Sequence, residues 1–225
     1  MGLENLRPIY EQKTKYQTIR FYENTKKELL LTLDTFIQFV EGEDETIYHD
    51  VLTRPAFEMN PKAKNILILG GGDGLVARNV KKLNPESNIT LVDLDEELVE
   101  LFKTKKRLVK LNEGSLLKDI NIVIADALIW IKDNQDKKFD IIILDFPDAN
   151  NHELKKLYKK EFIAEICNLL DKNGVIAIQC HFNISDIEAG IIQDILGNNK
   201  QISYTMPYLD GGKIVLGQLN GEINL

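Results

Sequence analysis

The chain has 225 residues, of which 44% are hydrophobic, enough for one substantial core with room for a small second unit. Its net charge of −7 argues against nucleic acid, since phosphate binding wants a basic surface, and favours cationic partners. No apolar run approaches the ~18 residues of a membrane span, and the first residues lack the apolar core of a secretory leader, so a cytoplasmic protein is expected. Cys167 and Cys180 lie in apolar segments without ligand-like spacing and read as buried, reduced thiols.

The first ~60 residues are β-rich. Tyr16 to Tyr22 and Glu28 to Leu33 read as short strands around a turn at Glu23 to Lys26, forming a small antiparallel lid. Thr46 to Phe57 reads as a helix, and the seam between the units is placed so that residues 1–50 form the β domain and 51–225 the main domain.

From Asn65 onward, apolar runs alternate with amphipathic ones. Strands are predicted at Ile66–Leu69, Ile89–Val92, Ile122–Ala125, Phe139–Leu144 and Val175–Gln179. Helices are predicted at Leu75–Leu83, Glu96–Lys105, Ala127–Lys132 and His152–Leu170, the last being the longest and ending at Asn173-Gly174. The lysine-rich run from Lys103 to Lys110 reads as a solvated face. A further helix, Asp186–Leu196, precedes strands at Ile202–Pro207 and Lys213–Gln218 around the turn Asp210-Gly-Gly. Continuous apolar strands alternating with helices imply an α/β fold: a Rossmann-like, methyltransferase-type, doubly wound and mostly parallel sheet covered on both faces, beside the small N-terminal antiparallel β domain.

The richest segment is Asn65-Ile-Leu-Ile-Leu-Gly-Gly-Gly-Asp-Gly74. A strand feeding a glycine turn and a helix brings backbone close to a nucleoside. An acid at Asp73 would repel a pyrophosphate, so the loop fits a nucleoside carrying positive charge, such as a sulfonium. Acids also end the next three strands: Asp93 with Asp95, Asp126, and Asp145 with Asp148. A parallel sheet puts these ends on one edge, where open α/β sheets bind ligands. An acid after the second strand can accept from both ribose hydroxyls, and Asp126 from an exocyclic amine; the bland alternative is that such aspartates cap the following helices. His152 and His181 lack metal-ligand company, and no metal site is expected.

Taken together, these segments resemble the polyamine aminopropyltransferases, the spermidine synthase family. Gly70-Gly-Gly-Asp-Gly74 matches the family's GGGDG, and Leu91-Val-Asp-Leu-Asp95 is similar to its L-V-E-I-D. Tyr16-Gln17, Leu33-Asp34 with Gln38, and Asp44-Glu-Thr-Ile-Tyr48-His49-Asp50 follow three N-terminal motifs in order. Phe139 to Asp148 resembles the active-site segment, and Asn150-Asn151, Leu157-Tyr158 and Phe162 fit members reading D-L-P-D-P-N-N. Tyr204 to Gly211 resembles the late I-P-T-Y-P-S-G segment.

The resemblance implies transfer of an aminopropyl group from decarboxylated S-adenosylmethionine to a diamine, most simply putrescine to spermidine with release of 5'-methylthioadenosine. The donor is a co-substrate; no prosthetic group is implied, and the partners are small molecules plus a second copy in a homodimer. By motif position, Gln17, Gly70, Gly71, Gly72, Asp93, Asp126 and Ala127 would hold the nucleoside and Asp73 the aminopropyl ammonium. Asp145 would accept the proton with Tyr48 beside it, and Gln38, His49, Asp148 and Tyr208 would line the amine tunnel. Departures from the family pattern are Leu75 and Thr35 at usual glycines, Asp93 in place of glutamate, and Ala149 where a proline usually follows Asp148. The alternatives are a small-molecule methyltransferase using S-adenosylmethionine on the same fold, which Asp73 argues against, and a non-catalytic nucleoside-binding homologue.

Overall fold

A computed structural model describes residues 5–147, 154–180, 185–209 and 211–221. Asp148, Asn150, Asn151, His152, His181 and Asp210 lie outside the described residues.

The N-terminal sheet has four antiparallel strands in sequential order: β1 (Arg7–Lys13), β2 (Thr18–Glu23), β3 (Leu29–Leu33) and β4 (Phe36–Val40). Two of these, β2 and β3, were legible in the sequence. β1 carries no alternating apolar pattern and is mostly exposed; β4 follows β3 across a turn of Asp34 and Thr35. In that turn Asp34 takes the left-handed conformation, with φ 55°, so Thr35 has no need of the glycine usual there.

Helix α1 (Glu43–Met59) starts earlier than expected and is the longest helix of the described residues. It runs uninterrupted through residue 50, so the expected domain division falls inside a helix; the small sheet ends at Val40.

The main sheet has seven strands in the order β10-β11-β9-β8-β5-β6-β7. Its members are β5 (Asn65–Gly70), β6 (Asn88–Asp93), β7 (Asn121–Ile124), β8 (Phe139–Asp145), β9 (Leu170–Cys180), β10 (Lys200–Tyr204) and β11 (Gly212–Gln218). The pairs among β5 to β9 are parallel, whereas β11 pairs antiparallel with both β9 and β10. Strand order reverses between β5 and β8, which is where such sheets open a ligand crevice.

The helices α2 (Leu75–Leu83), α3 (Glu96–Thr104), α4 (Lys106–Leu111), α5 (Ala127–Asp133), α6 (Lys160–Cys167) and α7 (Ser185–Leu196) cover the sheet. The expected long helix from His152 is instead a 3-10 segment, Leu154–Tyr158, followed by the short α6; Asn173 and Gly174 lie inside β9, with Asn173 at φ 63°. The lysine-rich run holds α4, and Arg107 within it binds Glu23 at 2.9 Å and Glu41 at 2.8 Å, fastening the small sheet to the main domain.

Alternation along β5 explains its unbroken apolar run. Ile66 and Ile68 join a core with α1 to α4 and the small sheet, while Leu67 and Leu69 join a core with α5 to α7. Phe102 of α3 is fully buried and meets Phe21 of β2 and Phe39 of β4, so both units share one apolar interior.

Candidate active site

A cavity of about 940 Å³ opens at the carboxyl edge of the main sheet, between it and the small sheet. Gln17, Gln38, Tyr48, His49, Gly70, Gly71, Gly72, Asp73, Asp93, Asp126, Ala127 and Asp145 all line it. Tyr208 does not. Its hydroxyl pairs with Lys26, and its backbone N–H donates to Asp44 at 3.1 Å, so it holds the chain that carries Leu209 into the wall.

The glycines leave room for neighbouring backbone and for carboxylates. Gly70 sits at φ 81°, and a Cβ on it would lie 2.3 Å from the Asp145 carbonyl oxygen. A Cβ on Gly72 would lie 2.7 Å from Asp93 Oδ2, the oxygen that accepts the Gly72 N–H at 2.9 Å. Leu75 is the first residue of α2 and is fully buried, with Gly74 before it supplying the left-handed step at φ 76°.

On the β6 and β7 side, backbone donors hold the acids. Asp93 Oδ1 accepts from Asp95 N at 2.9 Å. Asp95 is buried and caps α3 through Glu97 N and Leu98 N, while its Oδ2 takes Gln17 Nε2 and Thr14 Oγ1, each at 2.8 Å. Gln17 therefore reaches the cavity wall already bonded to Asp95. Asp126 caps α5 through Leu128 N at 2.8 Å, as the capping alternative expected. Burial, against the Asp95 and Gly72 amides, pushes the Asp93 carboxyl up to about 6. Gln38 lies at the rim, its amide turned back to the Phe36 carbonyl at 3.1 Å.

On the β5 and β8 side, titratable groups face one another. A ring nitrogen of His49 and one oxygen each of Asp73 and Asp145 lie within 4.8 Å of one another. Tyr48 donates a short hydrogen bond to Asp145 Oδ1, and its ring packs 4.8 Å from that of His49. Burial raises the Asp145 carboxyl, which His49 and the Tyr48 hydroxyl oppose. Burial also pushes Asp73 up to about 6; His49 opposes this and the Asp145 charge adds to it. Burial and the Asp145 charge hold the Tyr48 hydroxyl well above its ordinary ionisation, so it remains a donor.

Sequence reasoning missed two members. Glu45, on the same face of α1 one turn before His49, and Arg78 on α2 are both buried and form a salt bridge at 2.9 Å. The i,i+4 spacing of Glu45 and His49 was the available signal.

The spermine/spermidine synthase domain profile matches residues 45–210. The chain belongs to the spermine/spermidine synthase family. A polyamine aminopropyltransferase of Oceanobacillus iheyensis is 38% identical over 172 residues, 76% of this chain and 33% of the relative. Polyamine aminopropyltransferase 2 of Bacillus cereus is 34% identical over 191 residues, 84% of this chain and 50% of the relative. The family member described here thus spans between a third and a half of the length of these relatives. A solved spermidine synthase in complex with the transition-state analogue AdoDATO superposes with a TM-score of 0.83 at 24% identity, covering 96% of this chain and 74% of that one. Spermidine synthase from Thermotoga maritima gives 0.81 at 24% identity, covering 96% and 73%. This likeness establishes the fold, a Rossmann-like α/β domain with a small antiparallel sheet. No helix among the described residues is long and apolar enough to cross a membrane.

Proposed function

We propose that this protein is an aminopropyltransferase that moves the aminopropyl group of decarboxylated S-adenosylmethionine to a diamine, putrescine being the acceptor and spermidine and 5'-methylthioadenosine the products. The observation that carries this reading is the joint presence of Tyr48, Asp73, Asp93 and Asp145 in one cavity at the strand ends. Family membership supports it, as does the AdoDATO complex of a protein with the same fold.

In this reading the acceptor's neutral amine nitrogen attacks the carbon beside the sulfonium. The new C–N bond forms as the C–S bond breaks, its electron pair staying on sulfur as a neutral thioether. An alkyl amine is protonated in water, with a lysine-like pKa of ~10.4, so an acceptor for its proton is needed at the site. Asp145 takes that role, oriented by Tyr48, and its raised pKa suits it to receive a proton. Asp73 binds the donor's ammonium and repels the carboxylate of intact S-adenosylmethionine, discriminating against the commoner nucleoside. Asp93, Gln17, Gly70 to Gly72, Asp126 and Ala127 enclose the nucleoside, while Gln38, His49 and Asp148 contact the amine. A cytosolic homodimer belongs to the same reading; its support is the family resemblance.

A product assay tests this with decarboxylated donor and putrescine, cadaverine, 1,3-diaminopropane or spermidine. Spermidine from putrescine is the expected result. Methyl transfer from intact S-adenosylmethionine with no aminopropyl transfer would overturn it, and absence of transfer to any amine would leave a nucleoside-binding homologue.

A further inference from the structure

Asp73 and Asp145 face each other across the cavity, and two close carboxylates do not ionise together without a cation. The protein carries its own. His49 is 2% exposed, and its Nδ1 meets the Glu45 carbonyl oxygen at 2.6 Å and Glu45 Oε2 at 3.4 Å. That nitrogen is spent on Glu45, which leaves Nε2 for the two aspartates. Glu45 is fixed in turn: Arg78 donates to both its oxygens, at 3.2 and 2.9 Å, and to the Leu111 carbonyl at 3.1 Å.

We propose that Glu45, clamped by Arg78, is a positioning residue that keeps His49 protonated as a resident counter-cation for Asp73 and Asp145, and that a substrate ammonium entering this pair displaces the proton from His49. The N–H bond at Nε2 breaks, its electron pair stays on the ring, and the proton leaves to water. This rests on the aminopropyl-transfer reading only for the identity of the ammonium.

The carboxylates around His49 all point the same way, against burial and the Arg78 guanidinium that shares Glu45 Oε2. Glu45 on α1, Asp73 after β5 and Asp145 at the end of β8 favour the imidazolium; burial opposes it, and the balance stands on the raised side. Asp93 adds negative charge beside Asp73, and Tyr48 and Tyr204 contribute neutral hydroxyls. Glu45 itself feels burial upward, but His49 and Arg78 hold it down at about 2, so it stays ionised. The arriving donor adds positive charge, its ammonium placed against this pair, and makes the imidazolium redundant.

The chain has three histidines, so ring C–H proton resonances resolve them and His49→Gln assigns this one. In the unliganded protein His49 should titrate above the free-histidine value of ~6.5, and in Glu45→Gln its midpoint should fall by about 1–3 pH units. Arg78→Lys, which retains a cation beside Glu45, should move it less and covers the case in which Glu45→Gln fails to fold. Saturating decarboxylated S-adenosylmethionine should lower the wild-type midpoint. A His49 midpoint unmoved in Glu45→Gln, or in Arg78→Lys where Glu45→Gln does not fold, would overturn the positioning role. A donor that binds, shown by shifts elsewhere, yet leaves His49 unmoved would overturn the exchange. A donor that shifts nothing and supports no transfer would instead sink the functional reading and the exchange with it, while the Glu45 dependence would still be decided by the unliganded titration.

Discussion

The two halves of the cavity use the same residue type in opposite ways. Around β6 and β7, Asp93, Asp95 and Asp126 all accept from backbone amides, although burial still raises the Asp93 carboxyl to about 6. Around β5 and β8, Asp145 has the Tyr48 hydroxyl and the His49 ring, and Asp73 has one amide, from Leu75, plus the same ring. Acids held by amides are scaffolding that also lines the cavity. Acids held by titratable groups are free to change charge during a reaction. The contrast is sharpest where a single carboxylate is removed from each half.

Asp145→Asn is expected to have the largest effect on catalysis. The amide cannot take the amine's proton, and kcat should fall by about 10²–10⁴-fold, the usual worth of a positioned base. The melting temperature should hardly drop, because burial of the charged form is a cost that the amide does not bear. Steady-state rates beside a melting curve check both; wild-type kcat in the variant would remove Asp145 from the chemistry.

Asp95→Ala should behave in the reverse sense. It deletes the α3 cap, worth about 1 kcal/mol, and leaves the Gln17 amide without its acceptor at a part-buried junction, costing about 1–3 kcal/mol more. Denaturant unfolding should show that loss, whereas kcat at saturating donor should change little. A large kcat defect with intact stability would merge the two halves into one functional set.

Tyr48→Phe probes the catalytic half more gently. Losing one hydrogen bond to a carboxylate costs about 1.5 kcal/mol, so kcat should fall roughly tenfold. Its signature is a changed acid limb of the pH–rate profile: without the hydroxyl, Asp145 titrates higher and the limb moves up in pH. An unshifted limb would show that the Tyr48 hydroxyl does not set the ionisation of Asp145.

The same contrast governs what could be read from the sequence. Ile66 to Leu69 is apolar at every position because β5 is buried on both faces, and the acids after it follow from sheet direction, so the parallel core and cavity edge were legible. β1 was not, because an edge strand with one weakly covered face lacks alternation. The expected helix from His152 failed for a different reason: apolar spacing suited to a helix extends across residues that instead form a 3-10 turn and the short α6. Asp126 could not be assigned between capping and a place in the site because one carboxylate accepts from Leu128 N while also lining the cavity. Glu45 and Arg78 lie 33 positions apart, and nothing local announces that they meet.

Asp73 offers the smallest effect and the most direct thermodynamic check of the comparison. Its carboxyl is raised from 3.8 to about 6, burial being the leading cause. Between those values the folded protein holds a proton that the unfolded chain releases, so stability should fall as pH climbs from about 4 to 6 and stay reduced above. Asp73→Asn should abolish that part of the slope while its side-chain oxygen keeps the Leu75 amide satisfied. Each pKa unit is worth about 1.4 kcal/mol, but the side chain is partly solvent-exposed and also supports the His49 charge, so the net gain at pH 7.5 should be about 1 kcal/mol. The variant and wild type should therefore converge near pH 4 and separate above pH 6, with the variant the more stable. It should nonetheless bind decarboxylated donor more weakly, because the ammonium has lost its partner. A variant less stable than wild type at neutral pH would mean that Asp73 is held as firmly as Asp95, and the distinction between the two halves would not hold at this residue.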